Sequence, residues 1–377
     1  MRWVLATVSL GIALLGGEAV CRLVLPRPGF VAVNGNAFPG AIAPHPRRLF
    51  QLAPNYSGVV RRGTFGDMRF ETNADGLRDR PLGELQRATI RVLAVGNSFT
   101  FGVGIPREDT WPVHLEHTLQ QRWPAPSLVV INAGVPAYGL AQIRDLTEEL
   151  LPRLDPQLVI LGVFAGGIDR MRDPFTALHD FVVRKSFGPN VRIVNGGLVA
   201  SRFSRPRAAA VDLWLQTHFY LGAYLFEAAN ELRGKIRDRI QHRRVDRGGL
   251  PQRSDSIASL NAGLQEIARI RRDVDHRGSR LLVVTSAGFD QQNRIYPPQA
   301  EVISAVKHFC DSAGIAFLDP TAQLEASGAT LRVSPGDWHL SAAANGVFAD
   351  YLAASLISQR SLLTAPASQS RRASRSQ

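Results

Sequence analysis

Val92-Leu93-Ala94-Val95-Gly96-Asn97-Ser98-Phe99-Thr100-Phe101-Gly102 is the stretch that decides the fold. A short apolar run rich in β-branched residues stops at a glycine, and a hydroxyl follows two residues later. That order predicts a buried strand, a tight turn and the start of a helix, with Ser98 at the carboxyl end of the strand. In open α/β sheets ligands bind at that edge, and a serine on such a turn is a candidate nucleophile. Taken alone, the stretch leaves open the plainer role of a helix cap for Ser98.

On either side of it the chain alternates strand and helix. Strands are expected at Thr89–Val95, Leu128–Ile131, Leu158–Val163, Leu281–Thr285 and Ile315–Leu318. Helices are expected from Asp109-Thr110-Trp111-Pro112, where a capping residue precedes an early proline, and over Leu140–Leu151, Asn261–Arg272, Pro298–Ser312 and Ala342–Ile357. Such alternation predicts a five-stranded parallel sheet covered on both faces, with right-handed crossovers.

The interval from about Met171 to Ser256 breaks the pattern. It holds an apolar and aromatic span, Val211 to Phe226, and then the basic run Arg233 to Arg247. Asp212, Gln216 and His218 argue against a second membrane crossing, and a helical insertion capping the site, or an ordinary solvated one, is expected there. Residues 26–88, rich in proline, glycine and arginine, read as a small β-containing lead-in. Within it Thr72-Asn73-Ala74-Asp75-Gly76-Leu77-Arg78-Asp79 has the chemistry of tight turns. The division expected is therefore 1–25 as an anchor or signal segment, 26–88 as lead-in, 89–360 as the main domain, and 361–377 as a disordered basic tail.

Trp3 to Gly17 carry no charge, and apolar character continues to Leu25, interrupted by Glu18 and Arg22. Read to Leu25 the segment spans a bilayer. Glu18 and Arg22 lie four apart and share a helix face, where they can pair near the interface. No small-x-small cleavage pattern follows, which favours an uncleaved anchor over a cleaved signal peptide. Positive charge on both sides, Arg2 before and Arg22 and Arg27 after, leaves the orientation undecided.

The 377 residues carry a formal net charge of +12. The arginines are dispersed, without an aromatic-interleaved basic strand or recognition helix, so nucleic acid is not expected as a partner. Anionic headgroups or glycans suit the charge better. The two cysteines, Cys21 and Cys310, are not expected to pair, and the nine histidines show no metal-ligand spacing, so neither metal nor cofactor is expected.

A serine nucleophile needs a base and oxyanion donors. Gly336-Asp337-Trp338-His339-Leu340-Ser341, before the last helix, supplies a base in His339 and a carboxylate to orient it in Asp337, both expected in a loop on the edge where Ser98 emerges.

Together these segments resemble the SGNH hydrolases, also called GDSL esterases and lipases. The resemblance runs through Gly96-Asn97-Ser98 with Phe99-Thr100-Phe101-Gly102, then Asn132-Ala133-Gly134-Val135-Pro136-Ala137-Tyr138-Gly139, then Asp337 and His339 with Leu340-Ser341. It covers roughly residues 70 to 170 and 255 to 357, in order. It implies a flavodoxin-like three-layer α/β/α sandwich, a Ser98-His339-Asp337 triad, and an oxyanion hole of Ser98, Gly134 and Gly167. Thr72 to Asp79 and the N-terminal anchor resemble the lead-in of membrane-anchored bacterial members. The chain departs from the pattern in three places. Asn97 replaces the first-block aspartate; Gly167 stands where an asparagine donor is expected; Asp-x-His is one residue shorter than the usual spacing. The resemblance implies an esterase acting on a small acyl group, such as acetyl, on a cell-envelope carbohydrate outside the cytoplasmic membrane. An O-acetyltransferase of exopolysaccharide biosynthesis, or a catalytically weak glycan- or partner-binding relative, are the other two expectations.

Overall fold

The computed structural model describes residues 2–24, 41–62 apart from Pro46, 66–167 apart from 124–126, and 256–364. Between these last two it describes 177–178, 181–182, 191–194, 197–200, 205–222, 224–225 and Leu232. The chain forms two compact units, Met1–His45 with Ala177–Pro251, and Pro46–Thr176 with Gln252–Gln377. The boundary falls inside the 26–88 lead-in: its first residues group with the N-terminal segment, and Pro46 onward belongs with the sheet.

The first unit contains α1 (Arg2–Val24), a helix long and apolar enough to cross a membrane, and β1 (Ile42–His45). The second unit opens with β2 (Leu49–Leu52), the antiparallel pair β3 (Ser57–Arg62) and β4 (Gly66–Glu71), and the short α2 (Leu82–Leu85). It continues through β5 (Ile90–Gly96), α3 (Ser98–Phe101), α4 (Trp111–Arg122), β6 (Leu128–Gly134), α5 (Leu140–Leu154) and β7 (Leu158–Phe164). A 3-10 turn, Ala165–Gly167, follows β7.

The interval read as a helical insertion holds, among its described residues, two hairpins as well as a helix. These are β8 (Ala177–Leu178) with β9 (Phe181–Val182), β10 (Val191–Val194) with β11 (Gly197–Ala200), and α6 (Pro206–His218). The second unit then resumes with α7 (Ser256–His276), β12 (Arg280–Ser286), α8 (Pro297–Ala313), β13 (Ala316–Leu318), α9 (Thr321–Ala326), β14 (Arg332–Ser334), β15 (Asp337–Leu340) and α10 (Ala342–Ser358).

The central sheet has the order β13-β12-β7-β5-β6, and every pairing is parallel. Counted along the chain this is 2-1-3-4-5, the flavodoxin-like order, whose switch point lies between β5 and β7. Every residue of β6, and nearly every residue of β5 and β7, is buried, as continuous apolar runs covered on both faces must be. Helices α4 and α10 pack together in one outer layer, and α5, α7 and α8 form the other. The domain extends slightly past the expected boundary at 360, since Leu363 is wholly buried; residues beyond Thr364 lie outside the described set.

Candidate active site

The site grows from the switch point, where α3 sits directly on the strand ends. A Cβ on Gly134 would stand 2.2 Å from the backbone nitrogen of Phe101, so only glycine lets α3 settle there. Thr100, itself 1% exposed, fills the space over Gly96 and Gly162; its Oγ1 is 2.1 and 2.5 Å from where their Cβ atoms would be. Gly134 thus serves packing. Its N–H, expected to face an oxyanion, instead donates to Asn132 Oδ1 at 3.0 Å. The acceptor is the buried carboxamide two residues back.

Asn97 caps α3, its Oδ1 accepting the Phe99 N–H at 3.0 Å. This is work any Asx side chain does, so the loss of the family's aspartate leaves the turn intact. Ser98 opens the helix and is 8% exposed. Two neighbours that sequence reading passed over hold the turn. Arg78 is 1% exposed, and its guanidinium donates to the carbonyls of Phe101, Gly102 and Ile105 at 2.9, 2.8 and 2.8 Å. Burial, helped by the nearby Arg107, draws its pKa down to about 10. Asp79, its side chain wholly buried, accepts the Asn132 N–H and a guanidinium N–H of Arg107, each at 2.7 Å. The turn-like segment Thr72–Asp79 is therefore a clamp across β6 and the nucleophile turn. An arginine-aspartate pair after an Asn-x-Asp-Gly turn was the available signal, but nothing in the sequence said which carbonyls it reaches.

Asp337 and His339 lie on β15, paired antiparallel with β14, and not in the expected loop. This explains their shortened spacing. On a strand, residues i and i+2 share a face, so Asp-x-His brings the two side chains together where a helix-like loop would need another residue. His339 Nδ1 lies 2.5 Å from Asp337 Oδ1, and the His339 backbone N–H donates to the same oxygen at 3.1 Å. Asp337 is buried and the imidazole half-buried. Phe99, next to Ser98, leans on the imidazole with ring centres 5.0 Å apart and stacks on Phe164 at 4.1 Å. Among the described residues no hydrogen bond joins Ser98 Oγ to the imidazole. Catalytic hydrogen bonds are often longer before substrate binds.

Gly167 ends the turn after β7 and lines a small cavity with Asn97, Tyr138, Gly139, Gly162 and Phe164. It brings no side chain to that cavity, only its backbone. Ala137, in the turn after β6, has a φ of 70°, a left-handed conformation that alanine adopts at a cost. Among the described residues no three His, Cys, Asp or Glu side chains are placed to hold a metal ion.

Strand order and direction decide the architecture. It is the flavodoxin-like sandwich that the resemblance to the SGNH hydrolases implies. Solved structures similar to this chain include Est24, a carbohydrate acetylesterase from Sinorhizobium meliloti, at 12% identity over 72% of this chain and 100% of that one, with a TM-score of 0.39. Another is a catalytic mutant of Axe2, an acetylxylan esterase from Geobacillus stearothermophilus, at 10% identity over 70% and 93%, with a TM-score of 0.40. A carbohydrate acetylesterase family member from Sinorhizobium meliloti shows 14% identity over 73% and 99%, with a TM-score of 0.38. The sequence matches no protein-family model and no curated protein.

Proposed function

We propose that this chain is a serine esterase of the SGNH type, anchored in the cytoplasmic membrane by α1, that removes an acetyl group from a cell-envelope carbohydrate. The single observation that carries this reading is the Asp337-His339 pair, hydrogen-bonded at 2.5 Å on a strand beside the helix that Ser98 opens. In the reaction, His339 Nε2 takes the Ser98 Oγ proton as the oxygen bonds to the acyl carbon. Asp337 stays ionised, fixes the tautomer with Nδ1–H towards itself and stabilises the imidazolium. The tetrahedral oxyanion takes the Ser98 N–H and a backbone N–H from the Gly167 turn. As the intermediate collapses, His339 passes its proton to the leaving sugar oxygen. A water, deprotonated by the same imidazole, then attacks the acyl-enzyme and frees acetate and Ser98. A sugar hydroxyl in place of that water makes the same cycle an O-acetyl transfer, and the catalytic domain is assigned to the extracytoplasmic side.

A second reading is favoured by two specific features: the Gly134 N–H is engaged by Asn132, and Gly167 has no side chain to donate. Losing one oxyanion donor costs about two to three orders of magnitude in rate, so a glycan-binding protein of weak activity has the same architecture. Turnover of p-nitrophenyl acetate by the detergent-solubilised full chain, compared with Ser98→Ala, separates them. A fall on the order of a thousandfold or more in the variant, with Ser98 labelled by an organophosphonate, is the expected result. Equal rates and no labelling overturn the esterase reading in favour of binding.

A further inference from the structure

Helix α6 is built inside out for water. Val211, Trp214 and Leu215, spaced i, i+3, i+4 on one face, are 59%, 52% and 45% exposed, while Asp212 is 8% exposed. Helices that border water show the reverse. The stripe ends in His218, whose ring stacks on Trp214 at 4.8 Å, and runs on to Phe219, also exposed.

The turn after α6 is fastened to α1. The Glu18 carboxylate accepts the N–H groups of Tyr220 and Leu221 at 3.1 and 2.9 Å, where a new helical stretch begins, and the Arg22 guanidinium at 2.7 Å. Arg22 donates in turn to the His218 carbonyl at 2.7 Å and lies over the Tyr220 ring. Gly17 leaves room for Leu221, whose Cδ2 is 3.0 Å from where a Cβ would be. The two charges that interrupt the apolar run of α1 are therefore used up in holding this turn. A segment fixed to that end of α1 lies where α1 meets the membrane surface.

We propose that residues 206–222 form a second membrane element, an interfacial helix that beds Val211, Trp214 and Leu215 into an anionic bilayer and is latched to α1 through Glu18 and Arg22. The occupant is lipid because the exposed stripe adjoins a helix composed to span a bilayer, and because its surroundings are cationic. Arg205 and Arg207 flank its start, and Arg233 to Arg247 follow in the sequence. Tryptophan and arginine in this arrangement suit the headgroup boundary. It follows that α1 stays in the mature chain, since removing it would strip the turn of both partners. The proposal rests on reading α1 as an anchor and is independent of catalysis.

The test uses the full chain in nanodiscs of phosphatidylglycerol and phosphatidylethanolamine, in a Cys21→Ser, Cys310→Ala background. An environment-sensitive fluorophore is placed through Leu10→Cys, Leu215→Cys or, as an aqueous reference, Glu301→Cys on exposed α8. Blue-shifted emission and quenching by doxyl-labelled lipid at both 10 and 215, with none at 301, is the expected result. Adding Glu18→Ala should abolish the shift at 215 and keep that at 10, while Glu18→Gln, which keeps an accepting oxygen, should keep the shift at 10 and retain part of that at 215. Quenching at 10 but not at 215 overturns the interfacial helix and leaves the anchor standing; quenching at neither overturns both. A signal at 215 unaffected by Glu18→Ala overturns the latch.

Discussion

At the scale of single residues, Asn97 and Gly167 depart from the SGNH pattern that the sequence resembles, with opposite consequences. Asn97 replaces an aspartate but performs the same cap, so Asn97→Asp should leave stability and turnover close to those of the parent. Asn97→Ala, which frees the Phe99 N–H, should cost about 1 kcal/mol in a denaturant titration. Gly167 lacks the side-chain amide that the pattern places there, so its turn can offer an oxyanion only backbone N–H groups. Gly167→Asn should raise the turnover of p-nitrophenyl acetate by at least about tenfold, a fraction of what one such donor contributes elsewhere. No rise would show that the cavity lined by Gly167 and Asn97 is not where the oxyanion forms.

At the scale of elements, the Ser98 turn is held from the side of the lead-in. Arg78 satisfies three carbonyls at and beyond the end of α3, those of Phe101, Gly102 and Ile105. Arg78→Leu leaves them without partners and should destabilise the domain by about 3 kcal/mol or more, read as a lowered denaturation midpoint. Arg78→Lys should recover only part, because an ammonium has no planar fork to span Phe101, Gly102 and Ile105. The strand β15 makes a related point. The close Asp337-His339 pair follows from the two-residue period of a strand, which a linear motif cannot announce.

For the molecule as a whole, alkaline behaviour is set partly by a buried thiol. Cys310 is wholly buried on α8, and burial pushes its pKa up to about 12. Unfolded, the thiol releases its proton at its ordinary value, so above that pH the unfolded chain binds fewer protons than the folded one. Stability therefore falls as pH rises from about 9 towards about 12. Denaturation midpoints between pH 8 and 10 should decline in the parent chain and decline less in Cys310→Ala. Tyr138, which donates to the Phe50 carbonyl and is likewise raised by burial, keeps the slope from vanishing.

The sequence by itself determined the parallel sheet, the position of Ser98 at its carboxyl edge, the apolar α1 and the candidate partners Asp337 and His339. These follow from local periodicity, turn chemistry and the order of elements, all of which are written along the chain. Only the tertiary structure decided what surrounds these residues: it made Gly134 the seat of α3, with its N–H donating to Asn132. It likewise turned Arg78 and Asp79 from loop residues into a clamp, and made Glu18, besides pairing with Arg22, the partner of the turn at Tyr220. For Arg78, Asp79 and Glu18 these partners are backbone groups brought near by folding, and backbone groups are the same in every residue.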